Sequence, residues 1–317
     1  MRLWIFPLLL AFSSCGTLQK MAVRSSSPMF RDSSNKLVRE SNWEFFKDSA
    51  PGNLKFLEIL SLQDPDNTVL LSVLVKGYAG YAFGVHETMA LEDALLDKEV
   101  SPAKKQAIFF YTRAFDYGLD YLNKKNLTRQ DLLSLDETEL KKKMDDKLDK
   151  DDVSAVLYTA QAWGSLISQQ KENIVLVSQI NKVKILFDWL CKKDPDIDFG
   201  TCDVFFAQYD AIRPRMAGGS PERAEVLYRA VIKKYPHNLL NRVALIQFVY
   251  LPGFEKEKYE NEAKVLKEEF SKWEDVNRDQ LENTSIYKDH QEYNLLNAIA
   301  KKRFDMIETN KTKIFEE

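Results

Sequence analysis

Apolar residues recur at three- and four-residue spacing almost throughout the chain from about residue 50 onward, and no convincing stretch alternates with period two. That spacing puts an apolar stripe on one side of each helix and leaves no half-buried strand pattern from which to build a sheet. A longer signature repeats within it. Ala224, Tyr228, Val231 and Pro236 stand four, three and five residues apart. So do Val183, Phe187, Leu190 and Pro195, and Asn53, Leu57, Leu60 and Pro65. A fourth set, Ala107, Tyr111 and Ala114, lacks only the proline. Three of the sets therefore end in a residue that stops a helix.

This is the spacing of the second helix of a tetratricopeptide repeat. The expected fold is all-α, a tetratricopeptide-like helical array (an α-solenoid) over residues 50–317. A single helix pair cannot bury its own apolar face, whereas stacked pairs share one continuous core. Composition agrees: 44% of the 317 residues are apolar and only 11 are Gly and 10 Pro, so helix breakers are sparse. A net charge of −3 gives no overall positive field, and nucleic acid is not an expected partner.

The N-terminus reads MRLWIFPLLLAFSSC: one basic residue (Arg2), an apolar run from Leu3 to Phe12, two small residues and Cys15. The run is too short to span a bilayer and has the layout of a secretory signal. Small residues ending in a cysteine resemble a bacterial lipobox, with Phe12 in place of the usual Leu. Residues 1–14 are expected to be a lipoprotein signal peptide and Cys15 the lipidated residue. Residues 15–49 are then a Ser-rich tether. The expected location is lipid-anchored and periplasm-facing, and Gly16 after the cysteine favours the outer over the inner membrane.

Cys191 and Cys202 remain. A disulfide is allowed in an oxidising compartment and is geometrically possible between consecutive helices, but two buried free thiols are the favoured reading. Their ten-residue spacing fits no zinc motif. The stretch ELKKKMDDKLDKDD (139–152) holds five lysines and five aspartates that cancel, and it reads as a solvated, mobile connection. His86, His237 and His290 are scattered, and no nucleophile elbow, phosphate loop or dinucleotide fingerprint occurs. An enzyme is not expected, and no metal or cofactor is implied.

Gly218-Gly219-Ser220-Pro221 admits two readings, a phosphate cradle or a turn between helices. Ser220 suits an N-cap and Pro221 the first helical position, while Glu222 in the first turn would repel an anion. The turn is favoured.

Five colinear segments carry a more specific likeness. KGYAGYAFGVHETMALEDALL (76–96) contains Gly77, Tyr78, Ala79, Tyr81, Ala82, Phe83 and Gly84 of a Gly-Tyr-Ala-x-Tyr-Ala-Phe-Gly stretch. YTRAFDYGLDYL (111–122), AWGSLIS (162–168), RPRMAGGSPERAEVLYRAV (213–231) and NLLNAIAKKRFDMI (294–307) follow in order. Over roughly residues 50–310 the chain resembles the TatT family, TPR-type lipoproteins associated with TRAP transporters. Charged stretches at 123–154 and 252–290 depart from its pattern. The resemblance implies an accessory lipoprotein that docks the periplasmic substrate-binding protein and passes on a small organic acid or hydrophobic ligand. A scaffold for envelope-protein or cell-wall assembly is the alternative, and self-association is left open.

Tyr78, Tyr81, Phe83 and Trp163 are candidates to line a ligand cavity, with core packing as the ordinary alternative. Gly77, Gly80 and Gly84 weaken the helix around them, so something should benefit from the space. Arg213 is a candidate for a substrate carboxylate, although an ion pair is commoner. Asn297 completes the candidate set, and Arg303 on the same helix reads as a structural partner of Glu or Asp.

Overall fold

The computed structural model describes residues 14–278 and 286–316, and among them every regular element is helical. The segment read as a signal peptide lies outside the described residues except for Ser14, as does the side chain of Cys15. Helix α1 is Ser14–Lys36, followed by a 3-10 turn, Leu37–Arg39, and by α2, Trp43–Gln63. Then come α3 (Thr68–Tyr81), α4 (Thr88–Leu95), α5 (Pro102–Lys124), α6 (Arg129–Ser134) and α7 (Glu137–Lys147). The remainder is α8 (Val153–Gln169), α9 (Ile174–Val177), α10 (Ile180–Lys193), α11 (Thr201–Ile212), α12 (Pro221–Lys234), α13 (Leu240–Leu245), α14 (Lys256–Arg278) and α15 (Asn294–Glu316).

Local chemistry sets the helix starts. Asn42, Asn67, Ser101 and Ser220 each accept the N–H three residues on, and Pro102 and Pro221 occupy the first helical turn. The prolines of the repeated signature act as expected: Pro65, Pro195 and Pro236 each follow the C-cap residue of α2, α10 or α12. In three of the four sets the other positions are core. Ala224, Tyr228 and Val231, Val183, Phe187 and Leu190, and Ala107, Tyr111 and Ala114 are all buried. The α2 set is not: Asn53 is exposed and Leu57 and Leu60 half-buried, because that helix turns Ala50, Leu54, Glu58 and Ser61 inward instead.

Helices α3, α5, α8 and α10 pack in succession, and α11 pairs with α12. The last helix, α15, returns to pack on α2, α4 and α13, so the end of the chain meets its beginning around a central cavity. The run Thr68–Leu95 is long and apolar enough to cross a membrane, yet most of it is buried inside the protein.

Three expectations are corrected. The stretch read as a tether is helical and attached: Arg24 grips Asp64 through Nε and Nη2 (3.0 and 2.9 Å), and Asn67 donates to Ser27 (2.8 Å). Its serines do not break the helix because Ser25, Ser26, Ser27 and Ser34 donate back to carbonyls three or four residues earlier. The packed body therefore begins ahead of residue 50, with Trp43 and Phe46 in the core. The 139–152 connection is also ordered. Leu140, Met144 and Leu148, each four residues apart, plug into the core while most of the charges face outward, the buried Asp152 excepted. Reciprocal caps by Thr128 and Asp131, Asp136 and Glu139, and Asp149 and Asp152 start the three short helices Arg129–Ser134, Glu137–Lys147 and Lys150–Asp152. Finally, Cys191 and Cys202 form a disulfide between α10 and α11 rather than two free thiols. The chain reverses between them through three left-handed residues, Asp198, Phe199 and Gly200.

The Gly218-Gly219 loop is a turn. Gly218 has φ +84°, and a Cβ on Gly219 would lie 1.8 Å from the Arg213 carbonyl oxygen, so only glycine fits. Arg215 pairs with Glu222 across the helix start (2.5 Å).

Candidate ligand cavity

The central cavity has a volume of about 880 Å³ and is bounded by α2, α3, α8, α11, α13 and α15. That lies in the range of small-molecule sites. Its wall is mainly apolar, and polar side chains, among them Lys76, Gln161, Gln208, Asn241 and Arg303, are spread around it.

Two wide turns build the end of the cavity at Arg303. Ala82–Glu87, between α3 and α4, and Ile246–Tyr250, after α13, are π-helical, bonding five residues back rather than four. Such segments occur often at functional sites. Widening the first turn brings other donors to its carbonyls. Trp43 Nε1 donates to the Gly84 oxygen (2.7 Å), and Arg303 Nη2 donates to the Phe83 oxygen (2.9 Å). Gly84 fits closely beside them: a Cβ there would stand 2.9 Å from Ile299 and 3.1 Å from Phe46, so a side chain would have to shift.

Arg303 is 2% exposed. Its Nε donates to Thr88 Oγ1 (2.9 Å), and its guanidinium stacks on Phe83 at 4.3 Å. Glu87, which accepts from Tyr111, stands 3.6 Å from Nη2. Among the described residues Nη1 has only a long contact, 3.5 Å, to Oε1 of Gln247 in the second π segment. Burial pushes this guanidinium down from its usual range, against the opposing charge of Glu87, but an arginine remains cationic at neutral pH. Farther along α13, Asn241 and the preceding Asn238 also line the cavity.

The candidate residues separate into two groups. Tyr81, Phe83 and Arg213 line the cavity; Tyr78, Trp163 and Asn297 do not. Tyr78 stacks between Phe110 and Tyr117 and faces Glu58 on another side of α3. Trp163 Nε1 donates to Gln179 (3.0 Å), and its ring packs on Phe115. Asn297 is a brace: it accepts from the Leu239 N–H (2.9 Å) and donates to the His237 carbonyl (3.0 Å). Arg213, though at the wall, holds its own turn together, donating to the carbonyls of Tyr209, Ala217 and Gly218 and pairing with Asp210.

Sequence reasoning missed Gln247, Asn238 and Asn241; it read Arg303 as a structural partner of an acid, which Glu87 is, but did not place it at the cavity wall. The available signal was three amides, with Arg242, interrupting a largely apolar run from 238 to 251.

The family model described as TAtT, TRAP transporter T-component, matches residues 39–315. Its start coincides with the beginning of the packed body just ahead of Trp43. No curated protein matches the chain.

Proposed function

The chain belongs to the TRAP transporter T-component family, and from that premise we propose that it is the membrane-anchored, periplasm-facing accessory lipoprotein of a TRAP-type uptake system. Membership implies association with a TRAP transporter. The finer reading is ours: the body is a TPR-type array that docks the substrate-binding protein and holds a small organic acid or hydrophobic ligand without covalent chemistry. One observation supports it above the others, a mainly apolar cavity of about 880 Å³ with one buried arginine, Arg303, in its wall. That arrangement suits a carrier that sequesters a ligand from water.

Lipidation at Cys15 would supply the anchor, and attachment near membrane partners raises their effective concentration. Helix α1 runs from residue 14 into the body and is clamped by Lys20 and Arg24 to Asp64, so the anchor would hold the body close to the bilayer. The expected result is that Cys15→Ser moves the protein from the membrane to the soluble fraction; unchanged partitioning contradicts the anchor. Docking predicts that the solute-binding protein co-purifies with the chain from gently solubilised membranes and survives high salt where the contact is apolar.

A further inference from the structure

On the reading that Cys15 is acylated, we propose that the outer face of α1 and α2 is a membrane-contact surface. It lies in the head-group region of an anionic bilayer and so fixes how the anchored body stands on the membrane. Single exposed apolar side chains are ordinary on a soluble protein; their gathering on one side is what marks a contact site. Twenty large apolar residues are exposed among the described ones, and eight of them lie between Leu18 and Leu62. Leu18 and Met21 on α1 are 62% and 64% exposed, and Leu62 on α2 is 74% exposed.

Helical spacing turns these residues to one side. Leu18 and Met29 stand about three turns apart on α1 and share a face, with Met21 at its edge. Phe56, Ile59 and Leu62 follow one another at three-residue steps along α2, and all are exposed. Phe30 packs edge-on against Phe56, with ring centroids 6.2 Å apart, while Arg24 grips Asp64. Helix α1 therefore runs antiparallel to α2 and brings Ile59 and Leu62 beside its own N-terminal half. Its inner side is held by the buried Val23 and by Ser27, which accepts from Asn67, so the outer rows keep a fixed place on the body.

Two observations select lipid as the occupant. The first is where the chain enters. Cys15 stands in the first turn of α1, within one turn of Leu18, so acyl chains on it hold the apolar face about 5 Å from their point of attachment. A soluble partner would have to compete with the bilayer for a face that begins at the anchor. The second is charge. The chain as a whole carries −3, yet α1 and the turn after it hold Lys20, Arg24, Arg31, Lys36 and Arg39 against one acid, Asp32. Lys20 and Arg24 are taken by Asp64. Arg31, Lys36 and Arg39 are exposed and have no ion pair among the described residues. An apolar face accompanied by basic side chains is the pattern of a helix lying in the interface of an anionic membrane.

The test uses the full chain, processed in the cell and reconstituted into vesicles of phosphatidylethanolamine and phosphatidylglycerol. Cys191 and Cys202 are bridged and acylation occupies Cys15, so an introduced cysteine is the one free thiol. Met29→Cys, Leu62→Cys and, as reference, Val226→Cys on α12 (68% exposed) are labelled with an environment-sensitive fluorophore. The unsubstituted chain, carried through the same labelling, gives the background. Quenching by doxyl-labelled lipid is expected to be at least threefold stronger at positions 29 and 62 than at 226. Replacing phosphatidylglycerol by phosphatidylcholine, or combining Arg31→Glu with Lys36→Glu, should lower that ratio at least twofold; an unchanged ratio overturns the anionic assignment. Equal quenching at all three positions overturns the proposal. So does a blue-shifted label at 29 and 62 without quenching, which means that a second copy or another protein covers the face. Intact mass of the same preparation reads acylation. An acylated chain with unquenched labels contradicts this inference alone, whereas an unacylated chain with quenched labels contradicts the anchoring reading alone.

Discussion

Gly80, Gly84 and Gly219 divide glycine's uses cleanly. A Cβ on Gly80 meets nothing within 4 Å, and the residue lines the cavity. Gly80→Ala should therefore stabilise α3 by about 0.5–1 kcal/mol, the cost of glycine within a helix. Gly219→Ala should destabilise strongly, since its Cβ would overlap the Arg213 carbonyl. Gly84→Ala should fall between, because its neighbour Ile299 is a side chain able to shift. Urea midpoints of the three variants check that order. Glu58 gives a pH prediction. Burial alone would raise its carboxyl, but hydrogen bonds from Arg113, Lys55, Tyr117 and Tyr78 outweigh it and hold the pKa at about 2. A depressed carboxylate stabilises the fold above its unfolded pKa of about 4.3 and loses that contribution as pH falls through the folded value. Stability should thus drop between about pH 4 and 2, and Glu58→Gln should flatten the slope there. At this scale the sequence was partly legible. The Gly-Gly-Ser-Pro turn could be read because its caps are local, whereas Asn297 and Trp163 were ambiguous because their partners lie far off in the chain.

At the scale of elements, spacing and proline stops located α10 and α12 because both signals act within one helix. Helix α7 was hidden because Leu140, Met144 and Leu148 form a stripe only one residue wide among many charges. Helix α1 was hidden because serine composition suggests a linker, while its stability comes from the distant Asp64 and Asn67. The π turns left no periodic trace, and the first takes donors from other helices, Trp43 and Arg303. The disulfide joining α10 and α11 closes a loop with a sequence separation of 11. By the loop-entropy argument it contributes about 2–3 kcal/mol. Reductant should lower the urea midpoint of the native chain accordingly and leave a Cys191→Ser, Cys202→Ser double variant unmoved. An equal response from both proteins would contradict the bridge.

The whole molecule adds what no single element carries. Helix α15 closes on α2, α4 and α13, and this long-range closure brings Arg303 to the π turns that follow α3 and α13. The landmark segments at 76–96 and 294–307 are thus two sides of one site, although more than 200 residues separate Phe83 from Arg303. Their likeness to a known family was legible in the sequence; their meeting was not, since periodicity describes single helices. The account's central claim is that this body serves a TRAP system by docking its substrate-binding protein. The most direct measurement is sedimentation velocity of the Cys15→Ser chain mixed with the solute-binding protein of the same system. The account predicts a faster-sedimenting complex that saturates at fixed stoichiometry. Two independent boundaries at every salt concentration and protein ratio would contradict it.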